Sequence, residues 1–241
     1  MISVDNDFSK LPDVVAEGRR VINNLQRTAS LFLCKNMFAI IVSFIFLVSM
    51  LAGGPSYPFE TRNMLIWEIV SIGAGGFFLA LQPASKRLKG GFMEGVMSHT
   101  IPGGIAEVLC VGTVYLASVF APEFVSLEEA KTMSVVAFTI ISLLSFLIIC
   151  CPLDLYRGTV FAGAVVVSLL IFYMDVFWPP LATSGKETLL MGLDVSSLDV
   201  AHWAILGMMI AFVAIIYVLL DVLFQNIRYN RRIKQKGKEV L

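Results

Sequence analysis

The stretch TMSVVAFTIISLLSFLIICCPL, Thr132–Leu153, contains no charged side chain. A bilayer hydrocarbon core about 30 Å thick needs roughly 20 predominantly apolar residues at a helical rise of about 1.5 Å each, and this run supplies them without a break. With its span read as about 133–153, five further runs of the same kind lie at about 30–52, 65–82, 101–120, 159–178 and 202–224. The run at 65–82 is the weakest, because Glu68 interrupts it and Gly73, Gly75 and Gly76 loosen it. One such run fits a buried helix of a large soluble protein. Six of them in 241 residues leave too little polar surface to cover a water-soluble particle. The expected fold is all-α, a polytopic six-helix transmembrane bundle.

Composition agrees with this. Hydrophobic residues make up 57% of the chain and charged residues 15%, against about 25% charged in a soluble domain. The formal net charge is zero, so the overall charge gives no sign of a nucleic-acid partner. Cys34, Cys110, Cys150 and Cys151 lack C-x-x-C spacing and lie in or beside apolar runs, which indicates neither a disulfide framework nor a zinc site. Adjacent side chains on a helix diverge, so Cys150 and Cys151 read as packing residues. Pro152, Pro179 and Pro180 mark span ends.

Residues 1–27 are polar and charged, which is not the pattern of a signal peptide. Val14, Val15, Gly18, Val21, Ile22 and Leu25 recur at helical spacing, and nothing separates them from the first apolar run, so a continuous rod is expected from Asp13 into the membrane. A surface-lying amphipathic segment is the alternative. Lys35, near the start of the first span, is expected to snorkel to the headgroups. With six spans the termini share a side with the loops at 83–100 and 154–158. That side carries 15 of the 18 basic residues, including Arg19, Arg20, Arg27, Lys86, Arg87, Lys89, Arg157, Arg228, Arg231, Arg232 and the near-edge Lys35; the other carries Arg62, Lys131 and Lys186. The positive-inside rule then puts both termini in the cytoplasm, with 225–241 as a basic tail. Glu60, Glu123, Glu128, Glu129, Asp175, Glu187, Asp194 and Asp199 fall on the outer side, where they read as solvated loops or a weak cation-concentrating face.

Ionisable groups within the apolar region are costly and are functional candidates for that reason. Glu68 leads, with Ser71 three residues on and so on the same face of an α-helix. The glycines beyond allow unwinding that exposes carbonyl oxygens, and carboxylate, hydroxyl and carbonyl oxygens together suit a hard cation. A headgroup-level carboxylate is the plainer reading of Glu68. Asn36, one turn into the first span, faces the same cavity or makes a helix-packing hydrogen bond. Glu107 follows Ile101-Pro-Gly-Gly-Ile-Ala and has either an intramembrane pairing role or a snorkelling position. Asp221 is expected to be solvated or to pair with Arg228.

The segment DFSKLPDVVAEGRRVINNLQR, Asp7–Arg27, with its turn before Pro12, resembles the exit from the phosphorylation domain into the long fifth membrane helix of bacterial cation-transporting P-type ATPases. Phe77-Phe-Leu-Ala-Leu-Gln-Pro83, followed by Arg87, Lys89 and Gly90, resembles the end of the sixth helix in calcium- and magnesium-type pumps. The likeness covers nearly the whole chain, with its spans matching helices five to ten. It implies a stalk over 1–27, a membrane domain over 28–224, and transported-cation ligands at Asn36, Glu68 and Ser71. It departs from the pattern at Ala39 and Ile72, where calcium pumps carry acidic ligands, and at Gln82 and Ala84 beside Pro83. The Asp-Lys-Thr-Gly, Thr-Gly-Glu and Gly-Asp-Gly motifs and the fourth-helix proline site do not occur in the chain. The resemblance therefore implies the ion-pathway part of a pump in the bacterial plasma membrane. This part is inactive alone and depends on a partner with actuator, nucleotide-binding and phosphorylation domains that use Mg2+ and ATP. A self-sufficient secondary transporter, and a non-catalytic subunit or remnant, are the alternatives.

Overall fold

The computed structural model describes residues 11–54, 57, 59–64, 66–82, 91–177 and 191–239. They form six α-helical elements and no strand among the described residues: α1 (Leu11–Leu51), α2 (Gly76–Leu81), α3 (Phe92–Phe120), α4 (Leu127–Cys150), α5 (Leu155–Phe177) and α6 (Val200–Glu239). A π-helical segment, Trp67–Gly75, runs directly into α2. Five helices are long and apolar enough to cross a membrane, and Trp67–Leu81 is a shorter apolar helix. The protein is thus a multi-pass helical bundle, and the run expected to be the weakest span is the one shorter than full membrane length. The loop basics Lys86, Arg87 and Lys89, together with Pro83, Ala84, Pro179, Pro180, Lys186, Glu187 and residues 1–10, lie outside the described residues.

No break interrupts the 41 residues of α1. At about 1.5 Å per residue it extends roughly 60 Å, about twice a bilayer core, so one end stands clear of the apolar slab. Among its buried residues, Asn24, Leu31, Cys34, Phe38, Val42 and Phe46 recur every three, four or seven positions, with Ser30 beside Leu31, and form one stripe. That stripe meets α3, the central helix, which also packs against α4 and α6. Close approach is possible because α3 presents glycine there: a Cβ at Gly104 would stand 3.0 Å from the Met37 Cβ, and one at Gly103 would stand 2.4 Å from the Cys34 Sγ. The outer helices are apolar on their free faces, with Leu169 and Leu170 on α5 and Phe212 and Ile215 on α6 exposed, as lipid contact requires.

Two expectations need correction. The helix that carries the third apolar run does not start at Ile101-Pro-Gly-Gly: α3 begins at Phe92 and carries Pro102 in its interior. The missing Pro102 N–H costs a helical hydrogen bond, but the small residues that follow are those that let α3 lie on α1, and tertiary packing outweighs local propensity. Arg157, counted with the loop at 154–158, lies in the first turn of α5 and points into the bundle. It is 8% exposed, and its Nε donates to the Gln82 Oε1 at 2.7 Å while its guanidinium also donates to the Pro152 carbonyl at 2.8 Å. Gln82 Nε2 donates to Asp154 Oδ2 at 2.8 Å, and Asn24 donates to the carbonyls of Ala80 and Gln82 at 2.7 and 3.0 Å. This hub ties α1, the end of α2 and the α4–α5 connection together.

At the opposite end of the bundle the acidic loop residues serve structure. Ser126 and Glu129 form a reciprocal capping box at the start of α4, and Asp175 Oδ1 accepts from the Met191 N–H at 3.3 Å. Glu60 pairs with Arg62 at 2.7 Å and Lys131 at 3.4 Å, and the Arg62 hydrogen bond holds its carboxyl below the ordinary carboxylate range.

The π segment reaches α4 through Gly75, where a Cβ would stand 2.6 Å from the Phe146 ring. Gly75→Ala should therefore destabilise the bundle by about 1–3 kcal/mol through overpacking, and adding Phe146→Leu should recover most of the loss. Gly112→Ala has nothing within 4 Å of the new methyl and should be neutral or stabilising by up to about 1 kcal/mol. Thermal unfolding of the purified chain in detergent checks all three, and equal midpoints for Gly75→Ala and Gly112→Ala would contradict this packing.

Candidate functional site

The candidate site is the seam between α1 and the π segment. Glu68 stands in the first turn of that segment, and its carboxylate accepts a hydrogen bond from the Lys35 ammonium and forms an ion pair with it. Lys35 is therefore turned into the protein, with its side chain 18% exposed, and does not snorkel. The reason is electrostatic: within an apolar slab the nearest carboxylate is a better partner than a distant headgroup. The Glu68 side chain remains 41% exposed, so the pair lies at the rim of the seam.

Ser71 is in the same segment but differs in exposure. It is 1% exposed, and its hydroxyl has no hydrogen-bond partner. The expected shared face with Glu68 assumes α-helical spacing, whereas this stretch winds as a π-helix, with the Gly76 N–H bonding back to the Ser71 carbonyl. That wider turn leaves residues three apart on different faces. The loosening expected of the glycines thus takes the form of a change of helical winding and not of an unwound strand. Asn36 sits beside Lys35 on α1, half-buried, and makes no side-chain hydrogen bond to Glu68 or Ser71. The structure therefore joins Lys35 to Glu68 and does not join Asn36, Glu68 and Ser71 into one contact set. No group of three or more His, Cys, Asp or Glu side chains among the described residues is arranged to hold a metal ion.

Glu107 is elsewhere, in the middle of α3 and 0% exposed, which removes the snorkelling alternative. Its Oε1 accepts from Ser142 Oγ at 3.2 Å and from Cys34 Sγ at 3.9 Å. Asp221, 6% exposed, faces the His99 Nδ1 at 3.0 Å and accepts from Gln225 Nε2 at 2.5 Å. The sequence reading did not include Tyr217, Ser142 or the Lys35 pairing. For Lys35 a signal existed in the occurrence of one basic and one acidic residue in consecutive apolar runs.

No family model matches the chain. Curated relatives do. The calcium-transporting ATPase CtpE of Mycolicibacterium smegmatis is 29% identical over 227 residues, covering 91% of this chain and 27% of that protein. The CtpE of Mycobacterium tuberculosis is 30% identical over 207 residues, covering 82% and 25%. The probable cation-transporting ATPase exp7 of Streptococcus pneumoniae is 24% identical over 223 residues, covering 91% and 27%. The chain is homologous to a membrane-spanning part of bacterial cation-transporting P-type ATPases. It spans about a quarter of the length of these relatives.

The seam is testable in the isolated chain. Lys35→Met and Glu68→Gln should each lower stability, and the double variant should lose less than the sum, with a coupling of about 0.5–1 kcal/mol once partial exposure is allowed for. A double-mutant cycle from thermal or denaturant unfolding in micelles reads this. Strict additivity would mean that the two side chains do not interact.

Proposed function

We propose that the chain is the ion-pathway part of a P-type cation ATPase, with α1 and the Trp67–Leu81 segment in the positions of membrane helices five and six and α3–α6 in those of seven to ten. The observation that carries this reading is the Lys35–Glu68 pair: an intramembrane carboxylate held by an internal ammonium is a site whose charge can be handed to a mobile cation. Homology to cation-transporting ATPases supports it.

In this reading Glu68 is the charged ligand and Asn36 and Ser71 supply neutral oxygens. Entry of a cation displaces the Lys35 ammonium, and rewinding of the π segment as an α-helix brings positions 68 and 71 onto one face. A divalent cation fits a carboxylate with neutral oxygens, and calcium is the ion named for the CtpE relatives. Both termini lie in the cytoplasm, and the projecting end of α1 couples movement of cytoplasmic domains to the seam. ATP and Mg2+ act on a partner region carrying the actuator, nucleotide-binding and phosphorylation functions. The hub of Asn24, Gln82 and Arg157 makes that coupling stiff, because a shift of α1 pulls directly on the end of α2.

The test is to reconstitute the chain with a region of a CtpE relative that supplies those cytoplasmic domains and to measure Ca2+-dependent ATP hydrolysis. Glu68→Gln should raise the Ca2+ concentration for half-activation at least tenfold, a loss of about 1.4 kcal/mol, and Ser71→Ala should raise it severalfold. Proteoliposomes holding this chain alone should stay impermeable to an imposed Ca2+ or proton gradient. Unchanged activation in both variants would refute the ligand assignment, and specific flux through the chain alone would favour a secondary transporter.

A further inference from the structure

A second polar cluster is centred on α3 and α6, meets α1 at Cys34, and is independent of the role proposed for Glu68. Glu107 on α3 is 0% exposed, and its Oε2 has no hydrogen-bond partner. Tyr217 on α6 is also 0% exposed, and its hydroxyl is likewise unpartnered. One turn before Glu107, a Cβ at Gly103 would stand 2.4 Å from Cys34 Sγ, 3.2 Å from Tyr217 Oη and 3.5 Å from Ser145 Oγ. Side chains from α1, α4 and α6 therefore converge on the Gly103–Glu107 face of α3.

We propose that Glu107 is a proton-binding site inside the bundle, loaded and unloaded along the α3–α6 interface. Among the described residues its hydrogen-bond partners are a hydroxyl and a thiol, with no cationic side chain. An ionised carboxylate so placed carries a desolvation cost of several kcal/mol with no opposite charge to offset it. One positive charge cancels that cost. The crowding against Gly103 leaves no room beside it even for a methyl group, which favours a proton, since a proton needs no volume. A proton on the orphaned Oε2 removes the charge, while Oε1 keeps the hydrogen bonds from Ser142 and Cys34.

Further polar groups lie along the same two helices. One turn along α6 from Tyr217 stands Asp221, paired with His99 at 3.0 Å, and the His99 side chain is 24% exposed. Gln225 donates to Asp221 at 2.5 Å, and Arg228 donates to Ser98 Oγ at 3.3 Å, continuing the polar ladder toward the basic end of α6. The titratable groups around Glu107 are Cys34 on α1, Tyr217 and Asp221 on α6, and Cys110 and His99 on its own helix; α4 contributes only the hydroxyls of Ser142 and Ser145. Loading transfers one proton from a hydronium ion to the Glu107 carboxylate, forming one O–H bond as one in the hydronium breaks and leaving water, and unloading reverses it. No electron transfer is involved.

Infrared difference spectroscopy on the full chain in lipid nanodiscs tests this directly. At neutral pH, in a choline buffer, the wild type should show the carbonyl stretch of an unionised carboxylic acid, and the band should shift down in deuterium oxide and disappear at alkaline pH. Glu107→Gln should abolish it, Glu60→Gln should leave it in place, and Ser142→Ala should move its frequency by removing the hydrogen bond to Oε1. Should Glu107→Gln fail to fold, Glu107→Asp and the wild-type titration carry the test. A missing neutral-pH band, a band indifferent to Glu107→Gln, one unmoved by Ser142→Ala, or one that does not exchange with deuterium would overturn the proposal. A band that vanishes when Na+, K+ or Ca2+ is added at neutral pH would instead assign the site to a metal cation.

Discussion

A polar side chain inside a bilayer has no water to turn to, so each one must find its partner within the protein or remain at large cost. The arrangement of this bundle follows from that constraint. Lys35 and Glu68 lie far apart in sequence, one on the first membrane helix and one on the short segment after it, and they neutralise each other across the seam. Asn24, Gln82, Asp154 and Arg157 form a hydrogen-bonded hub at one end of the bundle. Asp221 is buried and is held by hydrogen bonds to His99 and Gln225. Each of these contacts also fixes the register of one helix against another, which apolar packing alone specifies weakly.

The helix that makes the other contacts possible is α3. Its glycines admit α1 at backbone distance, and its other faces meet α4 and α6. Around this rigid centre the remaining elements differ in constraint. Residues of α5 are largely exposed to the apolar surroundings, while the π segment is wound differently from every other helix. π-helical turns concentrate at functional sites because they can revert to α-helix with a small change in hydrogen bonding. A long rigid α1 packed beside a segment of alternative winding has the geometry of a lever against a switch.

Hydropathy made most of the fold legible. Thr132–Leu153 and its companions locate the helices, and the unbroken periodicity from Asp13 onward anticipates the single helix α1. The errors have identifiable causes. Pro102 reads as a boundary because local propensity opposes helix there, but contact with α1 decides the matter. Arg157 reads as a loop cation because its acceptors, Gln82 and two backbone carbonyls, are brought to it only by folding. The shared face of Glu68 and Ser71 depended on a helical period that this segment does not have. Residue identity alone singled out Glu68 and Glu107 as costly, whereas Tyr217 was invisible in sequence because an aromatic residue in an apolar run looks like ordinary core.

The meeting of Lys35 and Glu68 within the membrane is the contact that decides how the first two membrane segments sit together. A hydrophobic carbodiimide activates a carboxyl group and lets an adjacent amine displace the adduct, joining the two side chains with no spacer. Applied to the chain in bilayers and followed by proteolysis and mass spectrometry, it should yield a peptide in which Lys35 is amide-bonded to Glu68, lighter than its parts by one water. Recovery of Glu68 only as the stable carbodiimide adduct, or joined to a different lysine such as Lys131, would show that the two helices do not meet as described.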